Sequence, residues 1–347
     1  MTEHEIRLRR MAGQHLICPA DKMTVVRDLS GLQAQFVSNA VHGLKIRSAS
    51  DGEPLSGGLV KNWTLRGTVH VLREEDLPLF IHQDVYRMDD WSVPSFWSSR
   101  SDWALTPARQ SELSALILSA LADGSCTRER LKEICREGGM TAAEEGSMFH
   151  PWGGGIRQLC ERGFMHCLVR EEKAYALTPE FRPVTAVEAE AELARRYFTH
   201  MGPATIHDAM YFFGTTAKKV KGWLACLPVT ETECAGRNYY HIETGENIND
   251  EMPRYVFLSG FDQLMLGYEK KESLFLKGEH LRRIFNLAGI VMSAVLLDGH
   301  VAGRWKKKGK KLQVELFAPV TDYERAVIHE SAEILWGEEI SSVVIEE

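Results

Sequence analysis

No apolar run in this 347-residue chain approaches the ~20 residues that cross a bilayer, and the N-terminus is too polar for a secretory leader. The seven cysteines contain no Cys-x-x-Cys pair, so they support neither a zinc finger nor a disulfide framework; they read as reduced residues that mostly fill the core. The glycine run after His150-Pro151-Trp152 lacks a following Lys-Ser/Thr and is therefore not a phosphate loop. No His-Glu-x-x-His occurs, the scattered histidines do not make a metal-ligand spacing, and nucleophile-elbow and dinucleotide fingerprints are missing. Excess positive charge is lacking too. A formal charge of −7 argues against nonspecific coating of a polyanion.

What is present is the composition of an ordinary globular protein, 44% apolar and 26% charged. Cations cluster locally at Arg7, Arg9 and Arg10, at Lys218, Lys219 and Lys221, and most densely over Arg304-Trp305-Lys306-Lys307-Lys308-Gly309-Lys310-Lys311. Asp21 is placed to cap a helix ending near Gly31, Asn39 to start the next, and Trp63 to Leu72 read as a strand pair folded at Arg66-Gly67. Thr106-Pro107 opens a helix in which Leu113, Leu116, Ile117, Ala120 and Leu121 recur at helical spacing. Thr127 starts a second helix and a third runs from about Gly155 to Gly163. Strands at 165–169 and 174–177 follow.

Helices followed by a hairpin are the order of a winged helix. A third such unit begins at the capping-box pattern Thr185-x-x-Glu188 and carries a basic helix from about Ala217 to Leu227. From Asn249 the period becomes that of strands, with a type I′ hairpin signal at Asp298-Gly299 and a closing helix from Tyr323 to Trp336. The expected architecture is α+β: winged-helix units over 1–104, 105–182 and 183–248, then a small, barrel-like β domain over 249–347.

Two neutral amides, Gln33 and Gln35, flank Ala34 ahead of the segment Lys61–His70; in extended backbone both would face the same side. Together with 63–70, Arg195-Arg196-Tyr197, Gly202–Thr205, Ser259–Gly267 and Gly299–Trp305, in that order, this Gln-Ala-Gln resembles the catalytic Gln-x-Gln of AlkZ-type winged-helix DNA glycosylases. The resemblance spans essentially the whole chain. It implies a monofunctional enzyme, monomeric and cytoplasmic (nucleoid-associated), that acts on damaged double-stranded DNA. It further implies hydrolysis of the N-glycosidic bond of N7-alkylated purines, with interstrand cross-links as further substrates. Neither a metal nor an organic cofactor is implied.

The chemistry fits those side chains. An N7-alkylpurine is cationic and already a good leaving group, so the remaining need is a positioned water and stabilisation of an oxocarbenium-like sugar. A glutamine carbonyl accepts a hydrogen bond from that water without deprotonating it, so orientation and dipoles must supply the rate. No lysine lies in the segment, which favours direct hydrolysis over a Schiff base. Gln33, Gln35 and His70 are the candidate catalytic residues, with His70 expected to titrate near its ordinary pKa of ~6.5. Arg66, Thr68, Lys218, Lys219, Lys221, Arg304, Lys306, Lys307, Lys308, Lys310 and Lys311 are the candidate DNA contacts. Competing readings are that Gln33 and Gln35 cap the preceding helix, that His70 braces the hairpin, and that the basic turn is merely solvated. At the level of function, the alternatives are a noncatalytic winged-helix DNA-binding protein and a protein that sequesters a toxic DNA-binding compound.

Overall fold

A computed structural model describes residues 1–49, 55, 57–245 and 251–346. It groups the chain into two compact units, Leu55–Leu193 and Met1–Pro54 with Ala194–Glu347. This grouping cuts across consecutive segments: the 104/105 boundary falls inside the first of these, and the 248/249 boundary, with Asn249, lies outside the described residues.

The unit 55–193 is built on two hairpins that share one sheet. Leu59–Trp63 pairs antiparallel with Val69–Arg73, Asn62 opposite His70, and Lys61 pairs with Cys167 of the next hairpin, Met165–Cys167 with Ala174–Leu177. The turn of the first hairpin needs left-handed backbone at Arg66 (φ 56°) and Gly67 (φ 64°), a conformation glycine adopts without steric cost. Helices Pro107–Ala122, Arg128–Glu137 and Gly154–Glu161 pack on this sheet, and helix Ala142–Met148 packs against Gly154–Glu161. Leu113, Ile117 and Leu121 are buried as their spacing predicts, while Leu116 and Ala120 cover the rim of the same cluster. Trp63 packs on this cluster as well, so the first hairpin and the following helices have a common core. Helix 142–148 is an addition to the expected order; Thr141 and Glu144 form its capping box.

In the other unit the N-terminal helices are tied to residues far along the chain. Arg10, on helix Glu3–Gly13, donates to the Pro203 carbonyl at 2.7 Å and to Asp208 at 3.0 Å, and lies 3.7 Å over the Tyr268 ring. Arg7 and Arg10 are buried and Arg9 pairs with Glu243, so this triplet is structural rather than a surface cation patch. Helix Ala186–Arg196, which begins in the unit 55–193 and ends in this one, runs into a single π-helical turn, Tyr197–Met201, that stops at Gly202 and a cis Pro203. Helices Ile206–Phe213 and Ala217–Cys226 and the hairpin Thr230–Cys234/Arg237–His241 follow.

The C-terminal strands form an open five-stranded sheet in the order 342–346, 311–316, 300–308, 294–297, 255–257. The small β domain expected is present but, among the described residues, its barrel-like form is not: Ser342–Glu346 adds parallel to Lys311–Leu316 at one edge and Tyr255–Phe257 ends the other. Asp298 and Gly299 are both left-handed (φ 48° and 72°), as a type I′ turn requires. Helix Asp322–Trp336 covers one face through Ile328, Ala332 and Trp336. Among the described residues, no helix is long and apolar enough to cross a membrane.

Candidate active site

The Gln-x-Gln segment is set by the backbone on either side of it. Asp21 accepts from the Met23 and Thr24 amides and starts helix Lys22–Asp28. The chain then reverses through two left-handed residues, Ser30 (φ 54°) and Gly31 (φ 94°), into the short strand Leu32–Gln33. The bend is clamped from outside the segment. Gln263 donates to the Gly31 carbonyl at 2.6 Å and reaches the Leu29 carbonyl at 3.4 Å. Gln263 is itself positioned by Asp262, which caps helix Gln263–Leu266 and takes a two-pronged ion pair from Arg47 (3.0 and 2.6 Å). Arg47 also donates to the carbonyls of Gln14 and Gly43, and Ser259 donates to Asp262. Each of these side chains is buried, and Asp262 and Gln263 brace the bend that leads into Gln33.

Gln33 is buried, Ala34 fills the core, and Gln35 is exposed. The two side chains lie on one side of the strand, the Gln33 Nε2 donating to the Gln35 Oε1 at 3.5 Å. That contact sits at the long limit for a hydrogen bond and so is weak. Helix Val37–Lys45 begins two residues after Gln35 with no side-chain cap, which leaves positively polarised amides beside the pair.

His70, Arg66 and Thr68 belong to the other unit. His70 is fully enclosed on the hairpin. Its Nδ1 lies 2.8 Å from the Thr64 hydroxyl and 3.2 Å from the Thr68 carbonyl, while its Nε2 has no hydrogen-bond partner among the described residues. Burial drives its pKa down to about 3; the Arg66 charge acts in the same direction and the Thr68 carbonyl opposes it. The ring is therefore neutral at physiological pH, and the expectation that it titrates near ~6.5 is corrected: desolvation penalises the imidazolium. Thr68 donates its hydroxyl to the Leu65 carbonyl within the turn, and Arg66 is half-buried at the tip.

The basic hairpin splits into two sets. Arg304 pairs with Glu315, which also takes Arg283, and Lys307 pairs with Glu339. Lys306, Lys308, Lys310 and Lys311 are exposed and make no ion pair among the described residues. Lys218, Lys219 and Lys221 are exposed on helix Ala217–Cys226, in its first turns, where the helix dipole disfavours cations and a facing anion would relieve them.

Sequence reasoning missed Gln263, Arg47 and the buried Asn62, whose side chain joins the Cys160 carbonyl to the Trp63 amide. It also missed a pocket of about 390 Å³ in the unit that holds Gln33, on whose wall His15, Asp28 and His200 meet. Gln263 and Asn62 do lie in the stretches 259–267 and 61–70 quoted for the resemblance, but Arg47 and the His15, Asp28 and His200 cluster carry no local motif that would announce them.

The family model described as DNA glycosylase AlkZ-like matches residues 26–335. The chain is 28% identical to an interstrand DNA cross-link repair glycosylase of Streptomyces sahachiroi across 92% of each chain. Its fold matches the solved Streptomyces sahachiroi DNA glycosylase AlkZ with a TM-score of 0.79, at 21% identity, over 100% of this chain and 99% of that one.

Proposed function

Because the chain belongs to the AlkZ-like DNA glycosylase family, and is thus a hydrolase of N-glycosyl bonds, we propose that it excises N7-alkylated purines with Gln33 and Gln35 as the hydrolytic pair. The observation that carries this reading is the amide pair itself. Two uncharged side chains, one buried and one exposed, meet on a backbone that the buried Gln263 holds in place.

The mechanism asks little of an acid or a base. A cationic alkylpurine leaves with its electron pair when the glycosidic bond breaks, and the sugar takes on oxocarbenium character. A water accepted by a glutamine carbonyl oxygen is aimed at the anomeric carbon, and its proton passes to solvent after the new C–O bond forms. The uncapped amides of helix Val37–Lys45 would favour the flanking phosphate. Holding the water in line is worth far more than the loose Gln33–Gln35 contact it displaces, because proximity accounts for several kcal/mol of a barrier. His70, neutral and enclosed, is a positioning residue: it braces the turn that carries Arg66 and Thr68, both read as phosphate contacts.

DNA binding in this reading uses the exposed lysines of the 300–316 hairpin and of helix Ala217–Cys226. Helices 107–122, 128–137 and 154–161 followed by the 165–177 hairpin support a winged-helix arrangement for that stretch. Bulky lesions, including the interstrand cross-links named for the Streptomyces sahachiroi relative, fall within the same chemistry, since a cross-linked base cannot swing fully into a closed pocket. The test is a gel assay on duplexes carrying one N7-methylguanine, one bulky N7 adduct or one N7–N7 cross-link. Alkali-labile abasic sites, with no borohydride-trapped covalent complex, are expected. Intact DNA with all three substrates would remove the proposal and leave a damage binder.

A further inference from the structure

Two histidines and an aspartate, remote in sequence, converge on the wall of the 390 Å³ pocket. His15 stands just past the first helix in left-handed backbone (φ 61°), Asp28 is the last residue of helix Lys22–Asp28, and His200 lies in the π-helical turn Tyr197–Met201. Such π turns are rare and concentrate at functional sites. The His15 Nε2 is 2.9 Å from the Asp28 Oδ2 and the His200 Nε2 is 3.4 Å from the Asp28 Oδ1. One donor atom from each of the three residues lies within 4.8 Å of the others.

The other side of the His15 ring decides what it is aimed at. The His15 Nδ1 lies 3.3 Å from the Cys18 carbonyl, and the tautomer with its proton there leaves Nε2 open to a cation. A histidine whose far nitrogen is held by a backbone carbonyl presents a lone pair on the near one, which is how metal-binding histidines are oriented. Here both near nitrogens face one carboxylate.

We propose that His15, Asp28 and His200 form a binding site for a divalent transition metal of the zinc class, through two imidazole Nε2 atoms and the Asp28 Oδ2. Zinc bonds of roughly 2.0–2.2 Å put tetrahedral ligand atoms about 3.3 Å apart, so ring movements on the order of 1 Å close the site. The remaining coordination position opens on the pocket. Arg27 already donates to the Asp28 Oδ1 at 2.7 Å and leaves Oδ2 for the metal; its side chain is 44% exposed and can turn outward. A bound metal would tie the first helix, helix Lys22–Asp28 and the π turn together, five residues ahead of Gln33. The site is independent of the glycosyl chemistry proposed above.

The test is calorimetric titration of chelator-treated, full-length protein with ZnCl2, repeated on His15→Asn, His200→Gln and Cys18→Ser. Asparagine is chosen at position 15 because it tolerates left-handed backbone. One zinc per wild-type chain is expected, with affinity at least about 100-fold weaker in both histidine variants and unchanged in Cys18→Ser. X-ray absorption on the zinc-loaded wild type should show two imidazoles, oxygen ligands and no sulfur, a readout that stands even where a variant fails to fold. Failure of the wild type to bind, equal binding by the histidine variants, or sulfur in the zinc shell each overturns the proposal.

Discussion

Replacing Arg47 with methionine should destabilise this protein by ~3–5 kcal/mol near neutral pH, the cost of leaving one partner of a buried ion pair alone. The magnitude follows from what the guanidinium holds: both Asp262 oxygens and the carbonyls of Gln14 and Gly43, with Arg47 and Asp262 both buried. Methionine keeps the stem's volume but none of the donors. The loss should also depend on pH. In the native protein burial raises the Asp262 pKa, yet the Arg47 charge and hydrogen bonds outweigh it, and the net shift is downward. A carboxyl with a depressed folded pKa contributes stability that is present above its unfolded value of ~3.9 and is lost as pH falls through the folded value. Without Arg47 the burial effect stands alone and the folded pKa moves above the unfolded one. The variant's deficit is then greatest at neutral pH and shrinks as acid protonates Asp262. Urea denaturation of both proteins at pH 7 and pH 5 measures this, and Arg47→Met/Asp262→Leu should recover most of the loss. A deficit below ~1 kcal/mol, equal at both pH values, would refute the reasoning.

Gln263→Leu removes the donor to the Gly31 and Leu29 carbonyls; it should cost ~1–3 kcal/mol and lower the excision rate while DNA affinity holds. Unchanged excision at reduced stability would separate the clamp from the chemistry. His70 is held neutral with a folded pKa of about 3 against an unfolded ~6.5, so its contribution is present above ~6.5 and is lost as pH falls toward 3. His70→Phe should accordingly flatten the acid limb of the stability curve, and wild-type excision should show no inflection from this residue near neutrality. Changing Lys306, Lys308, Lys310 and Lys311 together to glutamine should lower the slope of log K against log salt by roughly 0.9 for each phosphate that these lysines neutralise. An unaltered slope would return that hairpin to solvent.

Elements whose signals are local were legible in the sequence. Thr106, Thr127, Thr185 and Thr205 start helices because each hydroxyl accepts a nearby backbone amide, and Asp298-Gly299 turns the chain because two left-handed residues are needed there. Helix 142–148 was missed although Thr141 and Glu144 form a capping box, because so short a helix shows little apolar periodicity. Contacts between remote segments were not legible. Arg7 and Arg10 look like surface cations until Pro203, Asp208 and Tyr268 enclose Arg10; Ser342–Glu346 finds its strand partner only in the fold. The candidate site divides the same way. Gln33 and Gln35 were singled out by the family resemblance of the stretches around them, whereas the burial that makes His70 neutral, and the meeting of His15, Asp28 and His200, depend on what folds around them.

Hydrolysis by Gln33 and Gln35 is the proposal from which the expected chemistry follows. Its most direct test is single-turnover excision from a duplex with one N7-alkylguanine, comparing wild type with Gln33→Ala, Gln35→Ala and the double variant at saturating protein. The account predicts abasic product from the wild type, a loss of at least about 100-fold in each single variant, comparable to removing one positioned dipole from a catalytic site, and unchanged DNA affinity. Wild-type rates in the double variant would contradict it.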